Sequence, residues 1–117
     1  MSDETDLQRA ILETLRALGL TVWRNQSGTV RVRGGFMHMA PEGTPDIIGY
    51  LADGRLLGIE VKLPGKEKRN TKPERREKQA AWRAKARAAG CVVGQVTSVG
   101  EAVLLVRGAM AETRRTA

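Results

Sequence analysis

Hydrophobic residues recur at helical spacing in the first part of the chain. Leu7, Ile11, Leu15 and Leu18 are three or four residues apart, which predicts an amphipathic helix over residues 3–18. Further along, short apolar or alternating runs are typical of strands. They predict strands at residues 20–24, 29–33, 47–51, 56–63 and 91–96.

The remaining segments predict two more helices and one long loop. A basic, alanine-rich run over residues 71–89 predicts a long helix that closes at Gly90. Residues 99–110 predict a last helix, interrupted at Gly108, and the tail 112–117 is expected to fray. The glycine- and methionine-rich stretch 34–43 predicts a loop.

This order of elements predicts an α/β fold with a mixed β-sheet flanked by helices. The core elements run α-β-β-β-α-β, and the long helix is expected to join the 56–63 strand to the 91–96 strand in parallel. The chain has 117 residues, so we expect one domain over residues 1–117 with one hydrophobic core.

Composition narrows the class of protein. Aromatic residues make up only 3% of the chain, so we expect Trp23 and Trp82 in the core rather than on the surface as base-stacking platforms. A single cysteine excludes an intramolecular disulfide and a CxxC zinc site. No apolar run approaches the ~20 residues of a membrane span, and the N-terminus is acidic. These features predict a cytoplasmic protein with no membrane partner.

Positive charge is concentrated in one segment. Residues 66–87, here called the basic segment, contain ten basic and three acidic side chains, which accounts for the whole net charge of +7. Such a segment is either a solvated helix face or a surface that binds a polyanion such as DNA or RNA.

Two acids and a lysine favour a surface that binds a polyanion and indicate a catalytic site. Glu60 and Lys62 alternate along one strand and therefore project from the same face. Metal-dependent phosphodiester hydrolysis needs carboxylate ligands, a positioned water and a cation that offsets charge on the phosphate. Asp46, Glu60 and Lys62 can supply them if Asp46 reaches the same face.

Whether Asp46 does so depends on the hairpin loop. A two-residue Asp53-Gly54 loop would place Asp46 and Glu60 on opposite faces of the sheet. A three-residue loop, 52–54, would place them directly opposite each other, with Gly54 at positive φ. Both loops suit the sequence; we predict the second, because without a bulge it alone brings the carboxylates together.

The first helix contributes one more acid. Glu4 shares a helical face with Leu7 and Ile11, which would aim its carboxylate toward the interior. The alternative is that Glu4 only complements the helix dipole in the first turn.

The complete pattern resembles a known family. Pro45-Asp46, a gap of 13 residues and Glu60-Val61-Lys62 resemble the signature of the PD-(D/E)xK nucleases. The flanking residues are similar to the VRR-NUC (virus-type replication-repair nuclease) branch: Glu4, Trp23-Arg24-Asn25, Ser27-Gly28, Gly43-Thr44, Gln79 and Trp82.

The resemblance implies a restriction-endonuclease-like core that uses Mg2+ or Mn2+. Asp46 and Glu60 would bind the metal, and the Val61 carbonyl and Glu4 would complete its ligands. Lys62 would orient the water or stabilise the transition state, and Gln79 would lie beside the site.

The resemblance also implies DNA as the partner. Small members of this branch are typically phage-encoded homodimers that cut branched DNA, which would include four-way (Holliday) junctions. DNA binding is assigned to residues outside the acidic cluster: Arg24, Ser27, Lys66, Lys68, Arg69, Lys72, Arg75, Arg76 and Lys78. Two alternatives stay open: a catalytically silent, structure-specific DNA-binding module, and an RNA-binding protein.

Overall fold

The fold follows from a computed structural model, which describes residues 3–25, 29–38, 40–66 and 72–116. In these ranges the elements are α1 (Asp3–Ala17), β1 (Thr21–Arg24), β2 (Thr29–Val32), β3 (Gly35–His38), β4 (Ile47–Tyr50), β5 (Leu56–Val61), α2 (Pro73–Ala88), β6 (Val92–Val96) and α3 (Val99–Thr116). No helix in this part of the chain has the length and apolar character needed to cross a bilayer.

The main sheet has four strands in the order β1-β4-β5-β6. Strands β1, β4 and β5 pair antiparallel, whereas β5 and β6 pair parallel through the α2 crossover. The predicted α/β fold with a mixed sheet flanked by helices is therefore confirmed.

The two faces of this sheet differ in what covers them. On one face Leu57, Ile59 and Val61 are completely buried in a core that also contains Ile11 and Val106, from α1 and α3. On the other face α2 packs closely over β5. A Cβ added at Gly58 would lie 3.3 Å from the Trp82 ring, so glycine makes room for the helix. The face beneath α2, here called the α2 face, carries the polar residues of β5.

A second, two-stranded sheet shows that the predicted 34–43 loop is partly wrong. Residues 35–38 form β3, which pairs antiparallel with β2. The turn between them contains Gly34 at φ +91°, a conformation that glycine adopts without strain. The glycines that indicated a loop instead form a tight turn, and the chain reverses at once into a strand.

The helix ends also differ from prediction. α3 runs without interruption past Gly108 to Thr116, because an exposed glycine weakens a helix without having to break it. Its start is secured by Ser98, whose Oγ accepts a hydrogen bond from the Glu101 amide at 3.1 Å. α2 begins at Pro73 with Lys72 as its N-cap residue and no side-chain cap. Thr71 lies outside the described residues.

Candidate active site

The β4–β5 hairpin brings the two acids together. Tyr50 pairs with Leu56 and Ile47 with Ile59, so the next residues outward, Asp46 and Glu60, are opposed. Residues 52–54 form the loop, and the Leu51 amide donates to the Arg55 carbonyl at 2.9 Å. Gly54 has a φ of +92°. The predicted three-residue register is confirmed.

This register produces a row of polar residues across three strands. The Asn25 backbone amide donates to the Asp46 backbone carbonyl at 2.7 Å. Asn25 therefore lies opposite Asp46, just as Asp46 lies opposite Glu60. The carboxylate of Asp46 is fixed in turn, because its Oδ2 accepts a hydrogen bond from the Val61 amide at 2.9 Å. Backbone groups therefore hold Asp46 toward β5.

Glu60 is deeply buried, and only one of its two carboxylate oxygens has a hydrogen-bond partner. The residue is 2% exposed. Its Oε1 accepts a hydrogen bond from Gln79 Nε2 at 3.2 Å and lies 3.7 Å from Lys62 Nζ. Its Oε2 is buried without a hydrogen-bond partner. An unsatisfied buried carboxylate oxygen is costly and indicates that something outside the chain completes its environment.

The electrostatics of Glu60 indicate which kind of group that is. Burial raises the pKa of Glu60 to about 8, with a further increase from the nearby Asp46 carboxylate and an opposing effect of Lys62 and Arg83. Two carboxylates this close cannot both be ionised cheaply without a cation. The oxygen set of Asp46 and Glu60 therefore fits a hard divalent cation.

The loop before Asp46 rests on α2. Gly43 has a φ of +89°, and a Cβ there would overlap the Lys78 carbonyl oxygen. Beside it, the exposed Lys78 ammonium forms an ion pair with the Glu42 carboxylate. This close approach ties the segment that carries Asp46 to the helix that carries Gln79.

Sequence reasoning missed Arg83. It follows Gln79 by one helical turn on α2 and acts electrostatically on Glu60. Its Nη1 is buried without a hydrogen-bond partner, as are Asn25 Nδ2 and Glu60 Oε2, and the described residues contain no other such side-chain atom. The i, i+4 spacing from Gln79 was the available signal, but ten basic residues in one segment concealed it.

Comparison with known proteins identifies a similar fold. No family model matches the chain, and no curated protein sequence matches it. A solved structure described as a VRR_NUC domain matches at 27% sequence identity and a TM-score of 0.59, covering 92% of this chain and 97% of that chain. The predicted resemblance to the VRR-NUC family is confirmed. The chain therefore has a nuclease-type α/β fold, and its carboxylate pair lies on the sheet of a VRR-NUC-like core.

Other residues assigned from the VRR-NUC resemblance are less closely grouped. Within the described ranges, no three His, Cys, Asp or Glu side chains form a metal-binding group, so Glu4 does not join Asp46 and Glu60 in this structure. Glu4 is half-buried in the first turn of α1. The Val61 amide is bonded to Asp46, and the ligand role of the Val61 carbonyl stays a prediction.

The residues assigned to DNA binding are mostly on the surface. Those whose side chains are exposed are Arg24, Lys66, Lys72, Arg75 and Lys78, while Arg76 is half-buried. Lys78 is already paired with Glu42. Ser27, Lys68 and Arg69 lie outside the described residues.

The two tryptophans do not share one role. Trp82 is half-buried with its ring beside Gly58, on the α2 face and outside the main hydrophobic core, so its predicted core position is only partly confirmed. Trp23 is 45% exposed, so its predicted core position is wrong. It lies on β1, an edge strand of the main sheet.

Proposed function

We propose that this protein is a metal-dependent endodeoxyribonuclease that hydrolyses phosphodiester bonds with Mg2+ or Mn2+. One observation carries the proposal: Glu60, whose Oε2 is buried without a partner, lies opposite Asp46, the residue just before β4. The fold similarity to a VRR_NUC domain supports the same reaction class.

Asp46 and Glu60 would hold the metal ion. Glu60 offers its unpartnered Oε2, and the Val61 carbonyl is the backbone ligand that we propose beside it. Glu4, which lies in the first turn of α1 and apart from the pair in this structure, is proposed as a further acid of the cluster. A bound divalent cation supplies Lewis-acid stabilisation of the charge that develops on the phosphate.

Lys62 and Gln79 complete the site from two sides. Lys62 is only 7% exposed and lies 3.7 Å from Glu60 Oε1, so its ammonium is held at the carboxylate pair. At this position it offsets negative charge on the phosphate as the bond breaks. The Gln79 side-chain amide donates to the same Oε1 and thereby leaves Oε2 for the metal ion.

DNA is the proposed partner, bound through the basic segment and Arg24. Branched DNA, including four-way junctions, is the proposed substrate, and a cytoplasmic homodimer is the proposed form of the protein. The exposed cations at the start of α2 lie on the helix that covers the active site. One phosphate backbone can therefore contact these cations and the active site together.

The test is cleavage of labelled linear, flap and four-way DNA with Mg2+, Mn2+ or chelator. We expect cutting only with a divalent cation, and none by Asp46→Asn or Glu60→Gln protein that still binds DNA. The exposed Arg107→Ala variant, on the opposite side of the sheet, is the matched control. Wild-type binding without cutting under any cation would assign the chain to the silent DNA-binding alternative.

A further inference from the structure

The α2 face of the sheet carries an aromatic patch that no element of the described structure covers. Trp23 is 45% exposed, Tyr50 is 51% exposed and Leu56 is 37% exposed. The Trp23 and Tyr50 rings meet edge to face, with their centroids 6.5 Å apart. The chain has only four aromatic residues, so half of them are in this patch.

Strand register places the patch beside the active site. Trp23 pairs with Ile48 and Tyr50 pairs with Leu56, so these side chains share a face. Asp46, Ile48 and Tyr50 follow at every second residue, which puts the patch and the carboxylate pair on that same face. Trp23 lies two residues before Asn25, about 7 Å along β1 from the polar row.

The chemistry around the patch fits a nucleic acid. Exposed rings bind the flat faces of unpaired bases by stacking, with little dependence on base identity. Arg24 alternates with Trp23 and projects from the opposite face of β1, so a phosphate next to a stacked base would instead meet the exposed cations of α2, such as Arg75. Asn25 adds a buried, unpartnered amide nitrogen on the way to Asp46. Exposed rings combined with positive charge are the combination that binds single-stranded nucleic acid.

We propose that Trp23 and Tyr50 form a stacking site for an unpaired base of the DNA, next to the base whose phosphate is cut. The proposal rests on the proposed nuclease function and deepens it, because it names the feature that distinguishes a branched or frayed substrate from plain duplex. Fully paired DNA keeps its bases stacked on one another and cannot use the site.

Binding measurements in chelator test this without any cleavage. The two probes are a fully paired hairpin and the same hairpin with a short unpaired thymidine arm. Trp23→Ala should weaken binding to the armed probe by roughly 5- to 150-fold and leave the paired probe unchanged. Tyr50→Thr, which suits a strand, should act in the same direction, and Trp23→Phe should restore part of the loss.

The control is Leu104→Ala, which removes an apolar side chain that is 71% exposed on α3, on the other side of the sheet. It should alter neither affinity. These binding measurements do not depend on cleavage. A wild-type protein that binds both probes but never cuts would therefore contradict the nuclease proposal and leave the stacking site intact.

Fluorescence gives a second readout. The chain has two tryptophans, so Trp82→Phe leaves Trp23 as the only tryptophan whose fluorescence is measured. Single-stranded oligothymidine should quench its emission, while the Trp23→Phe protein, which reports only Trp82, should respond weakly.

Two results would overturn the stacking site: equal effects of Trp23→Ala on both probes, or no quenching of Trp23. A shift from dimer to monomer in Trp23→Ala protein, measured by sedimentation, together with unchanged affinity for the armed probe, would instead make the patch a subunit interface.

Discussion

Asp46 and Glu60 are directly opposed across the β4–β5 hairpin, and the Val61 amide holds the Asp46 carboxylate toward its partner. Like charges at this spacing raise the free energy of the folded protein unless a proton or a cation is bound between them.

The metal-free protein should lose stability as the pH rises from about 5 to 8. The pKa of Glu60 is raised to about 8 when folded, so between its ordinary value and 8 the folded state binds a proton that the unfolded state has released. Thermal unfolding in chelator should show a falling Tm over this range, and Glu60→Gln should flatten the curve. Adding Mn2+ should raise Tm more at pH 8 than at pH 5.5, and a wild-type slope retained in Glu60→Gln would refute the assignment.

Lys62→Ala should lower the cleavage rate by orders of magnitude with a modest loss of DNA affinity. The ammonium is held at the carboxylate pair, where it matters most as charge develops on the phosphate. Single-turnover rates and DNA binding in chelator separate the two effects. Equal losses of rate and of affinity would reduce Lys62 to a phosphate anchor.

The exposed cations before and at the start of α2 should set the salt dependence of DNA binding. Replacing Lys66, Lys72 and Arg75 with alanine should flatten the slope of affinity against salt by roughly one unit for each phosphate that is no longer neutralised. Lys78→Ala should change the slope less, because Lys78 is paired with Glu42. An unchanged slope in the triple variant would show that the basic segment is only a solvated helix face.

Gly43→Ala should destabilise the protein more than Gly54→Ala does. Both glycines have φ near +90°, so both variants carry backbone strain of roughly 1–2 kcal/mol. Only at Gly43 would the new Cβ also overlap α2, at the Lys78 carbonyl, whereas nothing lies within 4 Å at Gly54. Urea unfolding should rank the two variants in this order, and cleavage should fall only in Gly43→Ala, because that loop carries Asp46. Equal effects would contradict the proposed docking of the loop.

Local patterns in the sequence predicted the hairpin that builds the site but allowed two loops, and the need to bring Asp46 and Glu60 together selected the three-residue loop. The alternation of Glu60 and Lys62 predicted their shared face, and the structure confirms both the register and the face. What local patterns could not give was packing between distant elements. The exposure of Trp23 depends on where α2 stops covering the sheet, and the approach of Arg83 to Glu60 depends on the packing of that helix on β5.

The most direct test of the account is a crystal structure of the protein grown with Mn2+, with anomalous differences used to locate the ion. We predict one strong peak in direct contact with a carboxylate oxygen of Asp46 and with Glu60 Oε2, and its loss in the Asp46→Asn protein. A manganese peak elsewhere, with none at Asp46 and Glu60, would contradict the assignment of this pair as a metal site.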